Sequence, residues 1–386
     1  MSQPFIILRE GTERTRGRDA LNNNIQAAKI ISEAVRTALG PKGMDKMLVD
    51  SFGDVVITND GATILKEMDV QHPGAKFIID LAKTQDQEVG DGTTTVVVLA
   101  GELLKRAQDL LEMDIHPSII VEGYRLSMDK ALELLNSIKI EVSLNDRDSL
   151  LNIAKTSMSS KIISGESSHM ADLIVDAALS VEDEGAVDID NIVIIKKQGE
   201  SLSDTQLIKG LILDKERVHS DMPKLIKNAK ILLINAALET NKTEFDSKLN
   251  IESADQVQQF LDREQASLKE MADKIISTGA NVVFCQKGID DMVQHHLAKA
   301  GIFAVRRVKK SDIEKLSKST NAPIVSNMSD LSSKDLGSAG KVEERKVADD
   351  DVIFVTDSPQ SSAVTILIRG GTEFVLDEYE RRIHDA

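Results

Sequence analysis

A glycine- and threonine-rich run, GDGTTT at residues 90–95, has the residue types and order best suited to chemistry on a phosphate. Its two glycines let the backbone approach a bulky ligand, and the carboxylate of Asp91 can bind a divalent cation. The three threonines precede the apolar VVVLA, so they stand where a helix begins, with unpaired amides that can receive a phosphate. An ordinary capped helix explains Gly-Asp-Gly alone, but it does not require three consecutive threonines, which are mediocre helix formers.

Two further junctions place a glycine beside a polar residue. LGPKG at residues 39–43 ends a helical pattern in which apolar residues recur at spacings of three and four. NDGATIL at residues 59–65 sets the carboxylate of Asp60 before a second helix, after the strand-like VVIT at residues 55–58. Neither loop fits the Walker pattern and no G-x-G-x-x-G follows a strand, so the common nucleotide-binding folds are not indicated.

Composition and charge exclude several classes of protein. The 386 residues suffice for two or three domains, and 41% of them are hydrophobic but only 3% aromatic. The formal net charge of −16 argues against nucleic-acid binding, which needs a basic face. The N-terminus lacks the basic start and apolar stretch of a signal peptide, and no run approaches about 18 apolar residues. We therefore expect a cytoplasmic protein with no membrane or nucleic-acid partner.

The cysteine and histidine content favours structural roles. The single cysteine, Cys285, excludes an internal disulfide and lies in the strand-like VVFC, which is typical of a buried small hydrophobe. A metal site that includes His295 and His296 is the alternative. Adjacent residues on a helix point about 100° apart, so this pair does not form one face and the metal interpretation is disfavoured.

The elements that must position these motifs fall into three regions. Long amphipathic helices fill residues 21–144, and shorter helices with a strand candidate at residues 192–196 follow from about 145. From about residue 214, strands and helices alternate. The strand candidates there span residues 229–234, 281–285 and 303–308. The chain is therefore predicted to be a multidomain α/β protein.

A long insertion, residues 239–279, separates the first two strands of the alternating region. It consists of a polar loop followed by a helical pattern that includes Phe260 and Leu261. It exceeds an ordinary connection, which suggests a function of its own. A plain amphipathic helix that packs on its own domain is the alternative.

Four motifs in this order resemble a known family: LGPKGMDKML, NDGATIL, GDGTTT and CQKGIDDMVQHHLAKAGIFAVRRV. The chain is similar to a group II chaperonin subunit of the archaeal thermosome type, and the resemblance covers essentially all of it. The resemblance implies three domains. Residues 1–144 would be the N-terminal half of a helical equatorial ATP-binding domain, and residues 145–213 with a return at 367–386 would be a small α/β intermediate domain. Residues 214–366 would be an α/β apical substrate-binding domain with a lid protrusion at about 239–279. The other equatorial half, which holds ribose and adenine in the family, would then lie outside these 386 residues.

The resemblance also assigns site residues. Asp91 would bind Mg²⁺, and Asp60 and Asp385 would position and activate water. The residues that contact the nucleotide would be Gly40, Pro41, Gly92, Thr93, Thr94, Thr95, Ser160 and Lys161. Lys161 resembles the family's nucleotide-sensing lysine, although the residues alone favour a solvated loop lysine. Asp385 lies far from Asp60 in sequence, so their convergence rests on the resemblance alone.

The function implied by the resemblance is an ATPase that drives protein folding. The subunit would assemble with other chaperonin subunits into stacked rings that enclose unfolded polypeptides, with ATP and Mg²⁺ as cofactors. A nucleotide-independent polypeptide-binding module is the alternative for a chain without the adenine contacts. An unrelated metabolic ATPase or kinase is disfavoured, because no motif for a specific small substrate is present. A measurement of nucleotide binding distinguishes the ATP-driven chaperonin from the nucleotide-independent module, since binding of magnesium-ATP favours the former.

Overall fold

A computed structural model describes residues 15–40, 42–49, 53–158, 167–183, 185–239, 254–328, 331–359 and 363–386. The chain divides into two compact units, Met1–Ser168 with Arg381–Ala386, and His169–Glu380. The described residues form eleven α-helices and fourteen β-strands. This mixture confirms the multidomain α/β fold predicted from the sequence.

The first unit is mainly helical. Its elements are α1 (Gly17–Arg36), β1 (Lys46–Val49), β2 (Val55–Thr58), α2 (Gly61–Glu67), α3 (Pro73–Val89), α4 (Thr93–Glu112), α5 (Pro117–Ile138) and α6 (Arg147–Met158). The two strands form an antiparallel hairpin in which Met47 lies opposite Ile57. The hairpin leads the chain directly into Asn59 and Asp60, just before α2.

The core of this unit is built by α1 to α4. The predicted periodicity is confirmed within α1, where Ile25, Ala28, Ile31 and Val35 are buried, but Leu39, the last residue of the predicted pattern, lies beyond the helix and is 41% exposed. Ala28, Ile31 and Val35 pack with apolar residues of α2, α3 and α4 in one cluster. Helices α1 and α4 approach so closely that a Cβ atom on Gly101 would collide with the Ser32 hydroxyl. Close packing therefore fixes α4, and with it the threonine run at its start.

Helix α5 is largely exposed, although its amphipathic pattern predicts a buried face. All of α5 is described, and Ile120 is its single buried residue, whereas Leu126 and Ile138 are 62% and 71% exposed. The Tyr124 hydroxyl donates a hydrogen bond to the Leu103 carbonyl at 2.6 Å and attaches α5 to α4. Helix α5 thus contributes little to the core that positions the threonine run.

The second unit alternates strands and helices. Its elements begin within α7 and end within α11: α7 (Ser167–Ser180), β3 (Glu182–Asp183), β4 (Ala186–Val187), β5 (Ile192–Gln198), β6 (Gln206–Ile208), β7 (Gly210–Leu213), β8 (Leu225–Ile234), α8 (Ala254–Ser277), β9 (Val282–Cys285), α9 (Asp291–Lys299), β10 (Phe303–Val305), α10 (Lys310–Thr320), β11 (Ile324–Val325), β12 (Gly337–Val347), β13 (Asp350–Thr356), β14 (Val364–Gly370) and α11 (Glu373–Asp385). The division between the two units falls inside α7 and α11.

A seven-stranded sheet forms the centre of this unit, in the order β10-β9-β8-β12-β13-β7 with β11 also paired to β8. The predicted strands correspond to β8, β9 and β10, which pair in parallel. Strands β12, β13 and β7 extend the sheet in antiparallel fashion. Neither β12 nor β13, which pair as a hairpin, was predicted from the sequence. Cys285 is buried in β9, as expected, and burial raises the pKa of its thiol to about 11.

A smaller sheet, β5-β14-β6, carries one buried and one half-buried lysine on β5. Lys197 makes ion pairs of 2.7 Å with both Asp214 and Asp350. Burial lowers the pKa of Lys197, but the hydrogen bonds to these carboxylates outweigh it and the pKa is raised. Next to it on β5, Lys196 pairs at 2.6 Å with Asp377 and Glu380, which ties the strand to α11.

The predicted insertion is described in part. Residues 240–253 lie outside the described chain, as do the side chains of Phe260 and Leu261. Helix α8 begins at Ala254, and its later residues Leu268, Ala272 and Ile275 are buried in a cluster with β8, β9 and α9. This half of the helix therefore packs on its own unit. Among the described helices, none is both long and apolar enough to cross a membrane.

Candidate functional site

A cleft of about 630 Å³ in the first unit brings the three predicted motifs together. Four separate stretches line it: Ala38, Leu39 and Gly40; Asn59 and Asp60; Asp91, Gly92, Thr93, Thr94 and Thr95; and Asn152, Ile153, Thr156 and Ser157. The first three stretches were predicted from the sequence as a phosphate-binding constellation. The fourth is one face of α6, which the sequence analysis did not associate with the site.

Asp60 is a buried carboxylate held by donors from two helices. It caps α2 in an extended conformation and is 7% exposed. Its Oδ2 accepts from the Thr63 amide at 2.8 Å, and its Oδ1 accepts from the Thr93 hydroxyl at 3.0 Å and the Ala62 amide at 3.4 Å. These hydrogen bonds fix the carboxylate in place.

The turn between α3 and α4 exists because two glycines adopt left-handed backbone conformations. Gly90 ends α3 with φ +80°, and Gly92 precedes α4 with φ +78°. Residues with a Cβ rarely adopt such angles. Gly92 has no side chain with which to cap α4, so the first-turn amides of this helix are available to an anion in the cleft.

The three threonines of this turn have different environments. Thr93 and Thr94 are buried, whereas Thr95 is exposed. The Thr93 hydroxyl donates to Asp60, so a contact between Thr93 and a phosphate would have to use its backbone amide. All three were predicted as phosphate contacts, but only Thr95 has an exposed side chain, and the Thr93 hydroxyl is already bonded to Asp60.

The starts of α2 and α4 touch at Gly61, which gives a first testable expectation. A Cβ atom there would lie 2.5 Å from Thr94 Oγ1 and 2.8 Å from the Thr94 amide nitrogen. Because backbone must shift, we expect Gly61→Ala to cost about 1–3 kcal/mol and to lower the thermal midpoint of unfolding. Gly123→Ala is the matched control, since open space surrounds Gly123 on α5 and helix propensity should leave its midpoint unchanged or higher. Equal midpoints for the two variants would contradict this packing.

Asp91 is an exposed carboxylate at the edge of the cleft. Its Oδ1 accepts from the Gly92 amide at 2.7 Å, and its Oδ2 lies 3.4 Å from Ser157 Oγ. Its backbone carbonyl accepts from Gln85 Nε2 at 2.8 Å. The side chain is thus oriented by its neighbours and accessible to a cation from solvent.

The other predicted site residues are placed as follows. Gly40 lines the cleft with φ +82°. Asp385 ends α11, and its backbone carbonyl accepts from the Ser157 hydroxyl at 2.9 Å, although its side chain is not among the lining groups. Pro41, Ser160 and Lys161 lie outside the described residues.

The charge of the cleft bears on which ligand fits. Its described lining contributes two carboxylates, Asp60 and Asp91, and no lysine or arginine. No group of three or more His, Cys, Asp or Glu side chains among the described residues could hold a metal unaided. Magnesium typically binds one or two carboxylates together with phosphate oxygens rather than an all-protein cage. The oxygen donors of this cleft therefore fit a magnesium–phosphate ligand better than a bare phosphate, which the carboxylates would repel.

Comparison with known proteins identifies the family. The chain belongs to the TCP-1/cpn60 chaperonin family, whose model matches residues 31–386, and it is a group II chaperonin subunit of the archaeal thermosome type. It is 58% identical to the thermosome subunit beta of Archaeoglobus fulgidus over 388 aligned residues, with 100% of this chain and 71% of the relative covered. The thermosome subunit of Pyrococcus horikoshii is 59% identical with the same coverage, and thermosome subunit beta of Methanothermobacter thermautotrophicus is 56% identical. The resemblance stated from the four motifs is confirmed.

Proposed function

We propose that this chaperonin subunit binds ATP with Mg²⁺ in the cleft and hydrolyses it to drive the folding of other proteins. One observation carries the proposal: Asp60 meets Asp91 and the adjoining first turn of α4 in one cleft, although Asp60 lies on a separate segment at the start of α2. A helix start supplies donors for phosphate oxygens, and the two carboxylates supply what ATP hydrolysis additionally needs, a cation ligand and a group to orient water.

The phosphate side of the ligand would be held by backbone rather than by cationic side chains. The amides of Thr93, Thr94 and Thr95 are the first of α4, and Gly40 and Gly92 leave room for close approach. Asp91 would hold the cation. Bound magnesium would neutralise charge on the phosphate oxygens, which the two carboxylates of the cleft cannot do.

Asp60 is the better-placed group to orient the attacking water. Its carboxylate accepts hydrogen bonds from Thr93, Ala62 and Thr63, and these bonds prevent it from rotating. A carboxylate fixed in this way in the lining of the cleft presents a constant acceptor geometry to a water molecule beside the phosphate. Asp385, at the end of α11, would act with it on the same water.

We further propose the domain assignment and assembly that accompany this activity. Residues 1–144 would form the equatorial ATP-binding part, 145–213 and 367–386 the intermediate domain, and 214–366 the apical domain, with a lid near residues 239–279. Thermosome relatives at 56–59% identity support this assignment. Unfolded polypeptides and other subunits in stacked rings would be the partners, in the cytoplasm.

Refolding of a denatured test protein checks the proposal. Particles of this chain, sized by native mass measurement, are mixed with the denatured protein and with Mg-ATP, Mg-ADP or no nucleotide. We expect recovery of native test protein with Mg-ATP alone. Capture of the denatured protein that is equal in all three mixtures, with no ATP-dependent recovery, would instead identify a nucleotide-independent binding module.

A further inference from the structure

We propose that Ser157 is a positioning residue that couples the state of the Asp91 carboxylate to the end of α11, where Asp385 lies. The inference deepens the proposed function and rests on it, since that function makes Asp91 the cation ligand and Asp385 a water-orienting residue. No motif in the sequence pointed to Ser157, which is the penultimate residue of an ordinary amphipathic helix.

Three distant parts of the chain meet at this serine, all within the first compact unit. The Ser157 hydroxyl donates to the Asp385 carbonyl at 2.9 Å, and its oxygen lies 3.4 Å from Asp91 Oδ2. Independently, a Cβ atom on Gly90 would lie 3.3 Å from the His384 carbonyl. The end of α11 therefore packs directly against the turn that carries Asp91, with Ser157 joining the two.

The hydroxyl of Ser157 is directed across to another segment rather than back into its own helix. Its neighbour Thr156 shows the usual local alternative, because that hydroxyl donates to the Asn152 carbonyl four residues earlier at 2.6 Å. Ser157 instead contacts residues 66 and 228 positions away. A serine whose hydroxyl served only helix α6 would not make these contacts.

The two contacts of Ser157 compete for the single hydrogen of its hydroxyl. A serine hydroxyl donates a single hydrogen, whereas the Asp385 carbonyl and an ionised Asp91 carboxylate are both acceptors only. A bond to a charged acceptor is roughly twice as strong as one to a neutral acceptor, so a bare Asp91 carboxylate competes with the Asp385 carbonyl for the hydrogen even from 3.4 Å. When Asp91 is committed to a cation, that competition falls and the hydrogen stays on the Asp385 carbonyl.

The consequence is that the end of α11 is held more firmly when Asp91 has a ligand. Asp385 would then be ordered at the cleft when magnesium and nucleotide are present, and held more loosely otherwise. A net hydrogen bond of about 0.5–1.5 kcal/mol corresponds to a change of about two- to tenfold in local opening. This size sets the expected effects below.

Amide hydrogen exchange of residues 381–386 tests the coupling, with Mg-ADP as the probe ligand. In the unaltered chain, Mg-ADP should raise protection there about two- to tenfold. Ser157→Ala should bind Mg-ADP within about threefold of the unaltered affinity but show no such rise, and Ser157→Thr should restore part of it. Ser127→Ala is the matched control, because that exposed hydroxyl donates back into its own helix, to the Gly123 carbonyl; it should behave like the unaltered chain.

A second variant tests the competition without any ligand. Asp91→Asn removes the charge that draws the serine hydrogen, so residues 381–386 should be protected in the absence of Mg-ADP to the level that the unaltered chain reaches with it. Equal ligand-dependent protection in Ser157→Ala and the unaltered chain would overturn the coupling. So would protection in Asp91→Asn that matches the unliganded unaltered chain. Failure of the unaltered chain to bind Mg-ADP, by contrast, would overturn the proposed function itself.

Discussion

Asp91→Asn is expected to weaken magnesium-dependent nucleotide binding by at least about 100-fold. Even groups that only orient metal ligands contribute about 10–100-fold to metal affinity, and Asp91 is proposed as a direct ligand. The measurement is a titration of Mg-ATP into the variant. Glu88→Gln removes one charge from an exposed residue three positions upstream that does not line the cleft, and it should bind Mg-ATP normally.

The direction in which Asp91→Asn changes ATP affinity distinguishes two roles for the Asp91 carboxylate. If Asp91 merely contributed negative charge, its removal would make the cleft less repulsive and phosphate would bind more tightly. If it holds the cation, the same substitution weakens binding. Tighter binding of ATP by Asp91→Asn would therefore contradict the assignment of Asp91 as a magnesium ligand.

Asp60→Asn is expected to leave nucleotide binding within a few-fold of normal while hydrolysis falls at least about 100-fold. That factor is the scale for loss of a positioned base. The asparagine oxygen can take the place of Oδ2 and still accept from the Thr63 amide, and asparagine is a favoured helix N-cap. The start of α2 should therefore be retained, and the variant should fold. Single-turnover hydrolysis at saturating Mg-ATP is the measurement.

The control for Asp60→Asn is Asp80→Asn, an isosteric change at an exposed carboxylate on α3. It should hydrolyse ATP at the normal rate. Unchanged turnover in Asp60→Asn would remove Asp60 from the chemistry. A large drop in its thermal midpoint would instead mean that the carboxylate serves the fold.

Much of the site could be predicted because its signals are local. Glycines at positions 90 and 92 mark backbone angles that other residues avoid, and an aspartate before an apolar helical pattern marks a cap. The apolar runs of β8, β9 and β10 likewise reveal buried parallel strands. In each case the residue type itself carries the physical constraint.

The rest depended on contacts between distant segments, which a single sequence does not display. Ser157 looks like any helical serine until Asp91 and Asp385 are placed beside it. Thr93 looks like Thr94 and Thr95 until its hydroxyl is seen to donate to Asp60. In both cases the partner of the hydroxyl lies far away in the sequence, outside the local motif.

Strand β12 shows the same limit for the fold. Its sequence, GSAGKVEERKV, is too charged to indicate a strand inside a sheet. It pairs between β8 and β13, and its charges are compensated by neighbours. The Glu344 side chain is only 4% exposed and pairs with Arg217 at 3.2 Å, a contact across more than a hundred residues.

Calorimetric titration of ATP into the chain, with Mg²⁺ and then with the cation chelated, tests the central claim most directly. The lining of the cleft has two carboxylates and no cationic side chain among the described residues, so ATP should bind only together with the cation. We expect saturable binding in the micromolar range with Mg²⁺ and no measurable binding without it. Absence of binding in the presence of Mg²⁺, or equal binding after chelation, would contradict the assignment of this cleft as a magnesium-ATP site.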